Sequence, residues 1–220
     1  MNSHTYCPPV HQGLDILYKD KALLVLEKPA GLLSVPGRGV DKQDSLSLRV
    51  QTEYPEALIV HRLDMETSGI MLMARNLDTQ RALSRLFETR RIDKHYTAVV
   101  SGQLQNKTGE VNLPLIADWP NRPRQIIDQQ QGKPALTAYS VMQYNTQENT
   151  TRLELFPKTG RTHQLRVHMQ ALGHPIIGDR LYNDLIKNQP ASRLLLHATS
   201  LDFLHPLSSK SVKFHSPAPF

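Results

Sequence analysis

The run His61-Arg62-Leu63-Asp64-Met65-Glu66-Thr67-Ser68-Gly69 carries a cation and a carboxylate between two apolar stretches, Ala57-Leu58-Ile59-Val60 before it and Ile70-Met71-Leu72-Met73-Ala74 after it. Short apolar runs bounded by turn residues read as buried strands. The polar segment then lies where two core strands meet, and rigid strands joined by a short loop are a scaffold for presenting chemistry. A carboxylate held there can attack an electron-poor carbon or stabilise one. Arg62 and Asp64 are two residues apart, so on extended backbone their side chains face the same way. The same run also fits a solvated turn with a surface ion pair.

The elements that must hold this loop are mostly strands. Residues 14–18 and 22–26 read as a pair joined by Lys19-Asp20-Lys21, and residues 31–39 as a Gly- and Pro-rich loop. Asp44 is placed to cap a helix over residues 45–50. Asp78 is placed to cap the clearest helix, whose stripe is Ala82, Leu83, Leu86 and Phe87. Residues 94–101 alternate as a strand with Tyr96, Ala98 and Val100 on one face. Residues 104–135 read as irregular, with a basic, proline-stiffened loop at Trp119-Pro120-Asn121-Arg122-Pro123-Arg124-Gln125. Residues 137–144 and 152–156 read as strands. Thr162 is placed to cap a helix with the stripe Leu165, Met169 and Leu172, ending at Gly173, and residues 194–203 read as strand. Strands follow strands with few helices between them, which predicts an α+β fold with a mixed, mainly antiparallel sheet. No repeat, low-complexity tract or linker interrupts the chain. We expect a loose arm over residues 1–13 and a single domain over 14–220.

Composition narrows the function classes. The 220 residues carry 26 Lys and Arg against 20 Asp and Glu, a net charge of +6 that favours an acidic partner such as nucleic acid. The single cysteine, Cys7, excludes an intrachain disulfide and a multi-cysteine zinc site, and suits a reducing, cytoplasmic compartment. No apolar stretch approaches the ~20 residues of a membrane helix, and the first residues do not form a secretory signal. His163 and His168 are five apart, off the spacing of a helical zinc pair, and no nearby carboxylate completes a ligand set. Neither a phosphate-cradling loop nor a dinucleotide fingerprint is present, so no metal or cofactor is expected.

Taken together, His61-Arg62-Leu63-Asp64 with Thr67-Ser68-Gly69, the segment from Gly31 through Arg38, Lys94-His95-Tyr96, and Thr159-Gly160-Arg161-Thr162-His163-Gln164-Leu165-Arg166-Val167-His168 resemble the RluA-type pseudouridine synthases. Gly173-His174-Pro175-Ile176-Ile177-Gly178-Asp179 and Leu194-Leu195-Leu196-His197-Ala198 extend the likeness in order. The resemblance implies a bent, mixed sheet flanked by helices and loops with a central active-site cleft. Many relatives carry an extra N-terminal RNA-binding domain, and with so few residues before the first strand none is expected here. The resemblance further implies cofactor-free isomerisation of uridine in RNA, detaching uracil at N1 and rejoining it at C5.

The resemblance also assigns roles. Asp64 is the catalytic aspartate, Arg161 its charge partner, and Tyr96 the residue stacking on the target base, with a hydroxyl able to take the C5 proton. Leu165 lines the uracil pocket, a role compatible with the core stripe of its helix. Arg62 could fill the gap left by a flipped base or hold a phosphate. His61 is expected to support the loop. Arg38, Arg122, Arg124 and Arg166 are candidate RNA contacts, each equally readable as solvated charge. Residues 32–38, 113–116, 118–122 and 132–135 are similar to short members of the family that modify a large-subunit ribosomal RNA hairpin and a tRNA anticodon stem-loop. Glu66 and residues 129–131 depart from them. A monomer is expected. An RNA-binding or RNA-folding protein without catalysis is the alternative reading, and a glycoside hydrolase pairing Asp64 with Glu66 is a third.

Overall fold

The computed structural model describes residues 6–183 and 192–220. In chain order the elements are β1 (Ile16–Lys19), β2 (Leu23–Lys28), α1 (Leu46–Glu53), β3 (Leu58–Ile59), β4 (Ser68–Ala74), α2 (Leu77–Glu88) and β5 (Asp93–Ser101). They continue with β6 (Thr108–Asn112), β7 (Leu115–Ala117), β8 (Gln125–Ile127), β9 (Leu136–Asn145) and β10 (Thr150–Pro157), then α3 (Gln164–Ala171), β11 (Leu196–Leu204) and β12 (Ser211–His215). Three α-helices among so many strands, in the described residues, make the fold α+β, as expected. The chain divides into two compact units, one formed by residues through Ile92 with Ala198–Pro217, the other by Asp93–His197 with Ala218–Phe220. No composition shift announces that division.

In the first unit β2 lies between β1 and β4, with antiparallel pairing on both sides. Its apolar run does not alternate because both faces are covered. Leu23 and Val25 join Ile70 and Leu72 of β4 and Leu83 of α2 in one buried cluster. Leu24 and Leu26 join Met71 and Met73 of β4 and Leu46 and Val50 of α1 in another. β4 is flanked on its far side by β11, whose backbone approaches closely at Ala198. A Cβ at Gly69 would lie 2.3 Å from the Ala198 carbonyl oxygen, and φ is +111° there, so only glycine fits. The strand expected over 57–60 is reduced to the two half-buried residues of β3.

In the second unit β10 pairs antiparallel with β5 and β9, and β9 with β6. One face packs Ala98, Val100, Leu153 and Leu155 against Leu165 and Met169 of α3. The hairpin β7–β8 stands apart as a two-stranded sheet. Thus residues 104–135 hold three strands where an irregular segment was expected. β6 buries only Val111, leaving its period weak in sequence.

The helix starts also differ from expectation. Ser45, not Asp44, caps α1, its hydroxyl accepting from the Leu48 amide, while Asp44 is drawn to the Arg49 guanidinium at 2.7 Å. Asn76, not Asp78, caps α2 by accepting from the Thr79 amide at 2.8 Å. His163, in a left-handed conformation (φ 53°), stands at the start of α3 in place of Thr162. Residues 1–5 of the expected arm lie outside the described residues. The arm is not loose at Tyr6 and Pro9. The Tyr6 hydroxyl bonds to Asp44 and Leu33 backbone, and Arg49 donates to the Pro9 carbonyl.

Candidate active site

In the first unit the segment from His61 to Thr67 leaves β3 and enters β4 with its backbone fixed at successive points. The imidazole Nε2 of His61 accepts the Leu72 amide at 2.9 Å, and its ring packs on Phe87 at 4.6 Å. That bond ties the imidazole to the backbone of β4. The Leu63 amide donates to the Ser34 hydroxyl at 3.0 Å, and the hydroxyl donates to the Leu63 carbonyl at 2.7 Å. The Asp64 carbonyl accepts from Thr67, closing a turn. The Met65 carbonyl accepts both the Gly31 amide, at 2.9 Å, and the Lys28 ammonium, at 3.0 Å.

Lys28 is wholly buried, and its ammonium also donates to the carbonyls of Pro29 and Leu32. Three carbonyl oxygens supply the solvation that burial removes. The loop of residues 29–36 and the Asp64 loop are therefore tied together inside one unit. On this frame the Asp64 side chain is half-buried and that of Arg62 is exposed. Alternation across the buried Leu63 sets this pattern. A fixed backbone with a half-buried carboxylate suits attack on, or stabilisation of, a bound reactant. Arg38 is exposed beyond the same loop.

In the second unit Tyr96 is half-buried on β5 and packs against the apolar cluster that contains Leu165. Arg161 precedes α3 and is exposed. Its amide donates to the Gln164 side-chain oxygen at 3.0 Å and its Nε to the Pro134 carbonyl at 3.1 Å. Gln164 is the centre of a buried polar chain. Its oxygen also accepts from the Thr159 hydroxyl, and its amide nitrogen donates to the Leu136 carbonyl and Thr137 hydroxyl. Thr137 meets His168 Nδ1 at 2.9 Å, and His168 Nε2 meets the Leu113 carbonyl at 3.0 Å. Burial holds the His168 pKa below the ordinary imidazole value. The network locks the residues on either side of Arg161.

Arg166 is a correction. It was expected at RNA, but it is buried and grips Asp179 with two bonds of 2.7 and 2.8 Å. α3 buries every side chain from Gln164 to Met169, so it has no solvent face at that position. The guanidinium groups of Arg166 and Arg124 lie 5.1 and 5.5 Å from the centroid of the buried Tyr182 ring. The Tyr182 hydroxyl accepts the Gln125 amide and meets His163 Nδ1, each at 2.7 Å. Arg122 stacks on Trp119 at 4.1 Å. Lys28 and Tyr182 were missed in sequence, and Ser34, Gln164 and His168 stood inside the family-like motifs without a structural role assigned to them. No group of three or more metal-ligating side chains occurs among the described residues.

Residues 22–171 match the family model for RNA pseudouridylate synthase. The chain is 49% identical over 220 residues, all of both proteins, to the dual-specificity RNA pseudouridine synthase RluA of Escherichia coli (strain K12). It is 48% identical over 216 residues, 98% of each, to the protein of that name from Pasteurella multocida. Among solved structures, human RNA pseudouridylate synthase domain containing 1 superposes with a TM-score of 0.80 at 30% identity, covering 97% of this chain and 86% of that one.

Proposed function

Because this chain belongs to the RNA pseudouridylate synthase family, and is an isomerase acting on RNA, we propose that it modifies specific uridines in two RNAs, a large-subunit ribosomal RNA hairpin and a tRNA anticodon stem-loop. The observation that carries this reading is identity of 49% across the whole of a relative named for dual specificity.

In this reading Asp64 is the catalytic carboxylate. The N1–C1′ bond breaks, either by attack of Asp64 on C1′ or through a glycal-like intermediate formed by loss of a sugar proton. The uracil turns and a C5–C1′ bond forms, either displacing the Asp64 carboxylate from C1′ or, on the glycal-like route, with the lost proton returned to the sugar. The C5 proton is then removed, for which the Tyr96 hydroxyl is the candidate base, and N1 gains a proton. Atoms and charge balance without a cofactor. Arg161 is the charge partner of the carboxylate, Leu165 lines the uracil pocket, and Arg62 fills the stack or holds a phosphate when the base is extruded. Arg38, Arg122 and Arg124 hold the RNA backbone. His61 supports the Asp64 loop.

The protein works as a monomer in the cytoplasm in this reading, and no helix among the described residues is long and apolar enough to cross a membrane. The test is tritium release from C5-tritiated uridine in each RNA. Release from both is expected. Release from one alone overturns dual specificity. Release from neither, with activity on a third RNA, overturns the proposed substrates altogether.

A further inference from the structure

We propose that Trp119 and Arg122 form a stacking platform for an unpaired nucleobase other than the target uridine, a subsite that recognises RNA by the presence of an unstacked base. The inference rests on the chain acting on RNA, and it goes beyond the assignment of Arg122 to backbone phosphate.

Trp119 sits in the connection between β7 and β8 and is 65% exposed. A tryptophan that serves packing is normally largely buried. This one is held out in water by a turn with its own hydrogen bonds. The Asp118 amide donates to the Arg124 carbonyl, Asn121 to Asp118, and Arg124 to Asn121, at 3.0 to 3.1 Å. The Asn121 side chain adds a bond to the Asp118 carboxylate at 3.0 Å. The turn is anchored at the start of β8, where the Gln125 amide donates to the buried Tyr182 hydroxyl. A rigid stalk therefore carries an exposed indole.

The Arg122 guanidinium lies 4.1 Å from the indole centroid. Among the described residues it is engaged by the ring and not by a carboxylate. Its charge is thus available to a phosphate while its plane extends the aromatic surface. An ordered planar group beside a free cation is what an unstacked nucleotide binds, base on the plane and phosphate at the charge. Such stacking tolerates any base, because each has a π-face. A paired helix offers no base to it. The platform selects loops over duplexes without reading sequence, which suits one enzyme serving different RNA contexts.

Trp119 is the only tryptophan of the chain, so tryptophan emission, excited at wavelengths the tyrosines do not absorb, reports on this site alone. The experiment titrates an anticodon stem-loop RNA, and separately a blunt duplex of matched length, while tritium release is followed on the same stem-loop. Saturable quenching by the stem-loop and none by the duplex is expected. Trp119→Ala raises the stem-loop Kd by about five- to 150-fold and leaves the duplex Kd unchanged, whereas Trp119→Phe keeps most of the affinity. Unchanged emission at saturating stem-loop, or Trp119→Ala binding as tightly as the parent, overturns the platform. If tritium is released in that case, the substrate reading stands and only the platform falls. Quenching without tritium release leaves the platform in place and counts against the stem-loop as a substrate.

Discussion

The Ser34 hydroxyl bonds to both the amide and the carbonyl of Leu63, twenty-nine positions away in sequence and one residue before Asp64. It does for that peptide what a neighbouring strand would do. Ser34→Ala leaves a buried amide and carbonyl without that partner, costing about 1–3 kcal/mol. Because the freed peptide adjoins Asp64, kcat for tritium release is expected to fall by about tenfold to 100-fold while KM changes little. Urea denaturation and steady-state kinetics check the two parts, and an unchanged kcat in a destabilised variant would show the bond to be structural only.

Asp64→Asn keeps the shape of the side chain and removes its charge. It is expected to abolish tritium release while RNA affinity stays within about threefold, since phosphate contacts set affinity. Substantial turnover by the variant would sink the role proposed for Asp64.

Arg122 and Arg166 were both expected at RNA and now diverge. Arg122→Ala should leave folding intact and make the dependence of Kd on salt shallower by about one counterion. Arg166→Ala strands the Asp179 carboxylate in the interior, at about 3–5 kcal/mol. The salt slope of any folded fraction should match that of the parent. Equilibrium unfolding and Kd measured against salt separate the two, and an undiminished slope in Arg122→Ala removes that residue from the interface.

His168 links stability to pH. Burial disfavours its cation in the folded protein, while in the unfolded chain it titrates near the ordinary value of about 6.5. Below that value the unfolded chain binds the extra proton, so stability present above about pH 6.5 is lost as pH falls toward the lowered folded value. Between about pH 7 and about pH 5.5 the urea midpoint should drop more steeply in the parent than in His168→Gln. Equal slopes would show that the buried network does not exclude the proton.

Much of this was legible in the sequence where side chains face one uniform environment. The apolar runs of β2 and β4, the stripe of α2, and the alternation of Tyr96, Ala98 and Val100 placed their elements closely. What escaped depends on distant backbone. Asp44 looks like a cap until Arg49 claims it. A stripe of Leu165, Met169 and Leu172 implies a polar opposite face, but the Asp179 segment covers that face and turns Arg166 inward. Ser34 and Lys28 bond to main-chain carbonyls, and no pattern of residue types reveals those.

The Lys28 cage has a chemical consequence. An amine enclosed by three carbonyls and shielded from water is unreachable by acylating reagents while the cage is closed. Its labelling rate therefore clocks the opening of the loop that carries Asp64, which makes one lysine a built-in gauge of how often that carboxylate loses its footing.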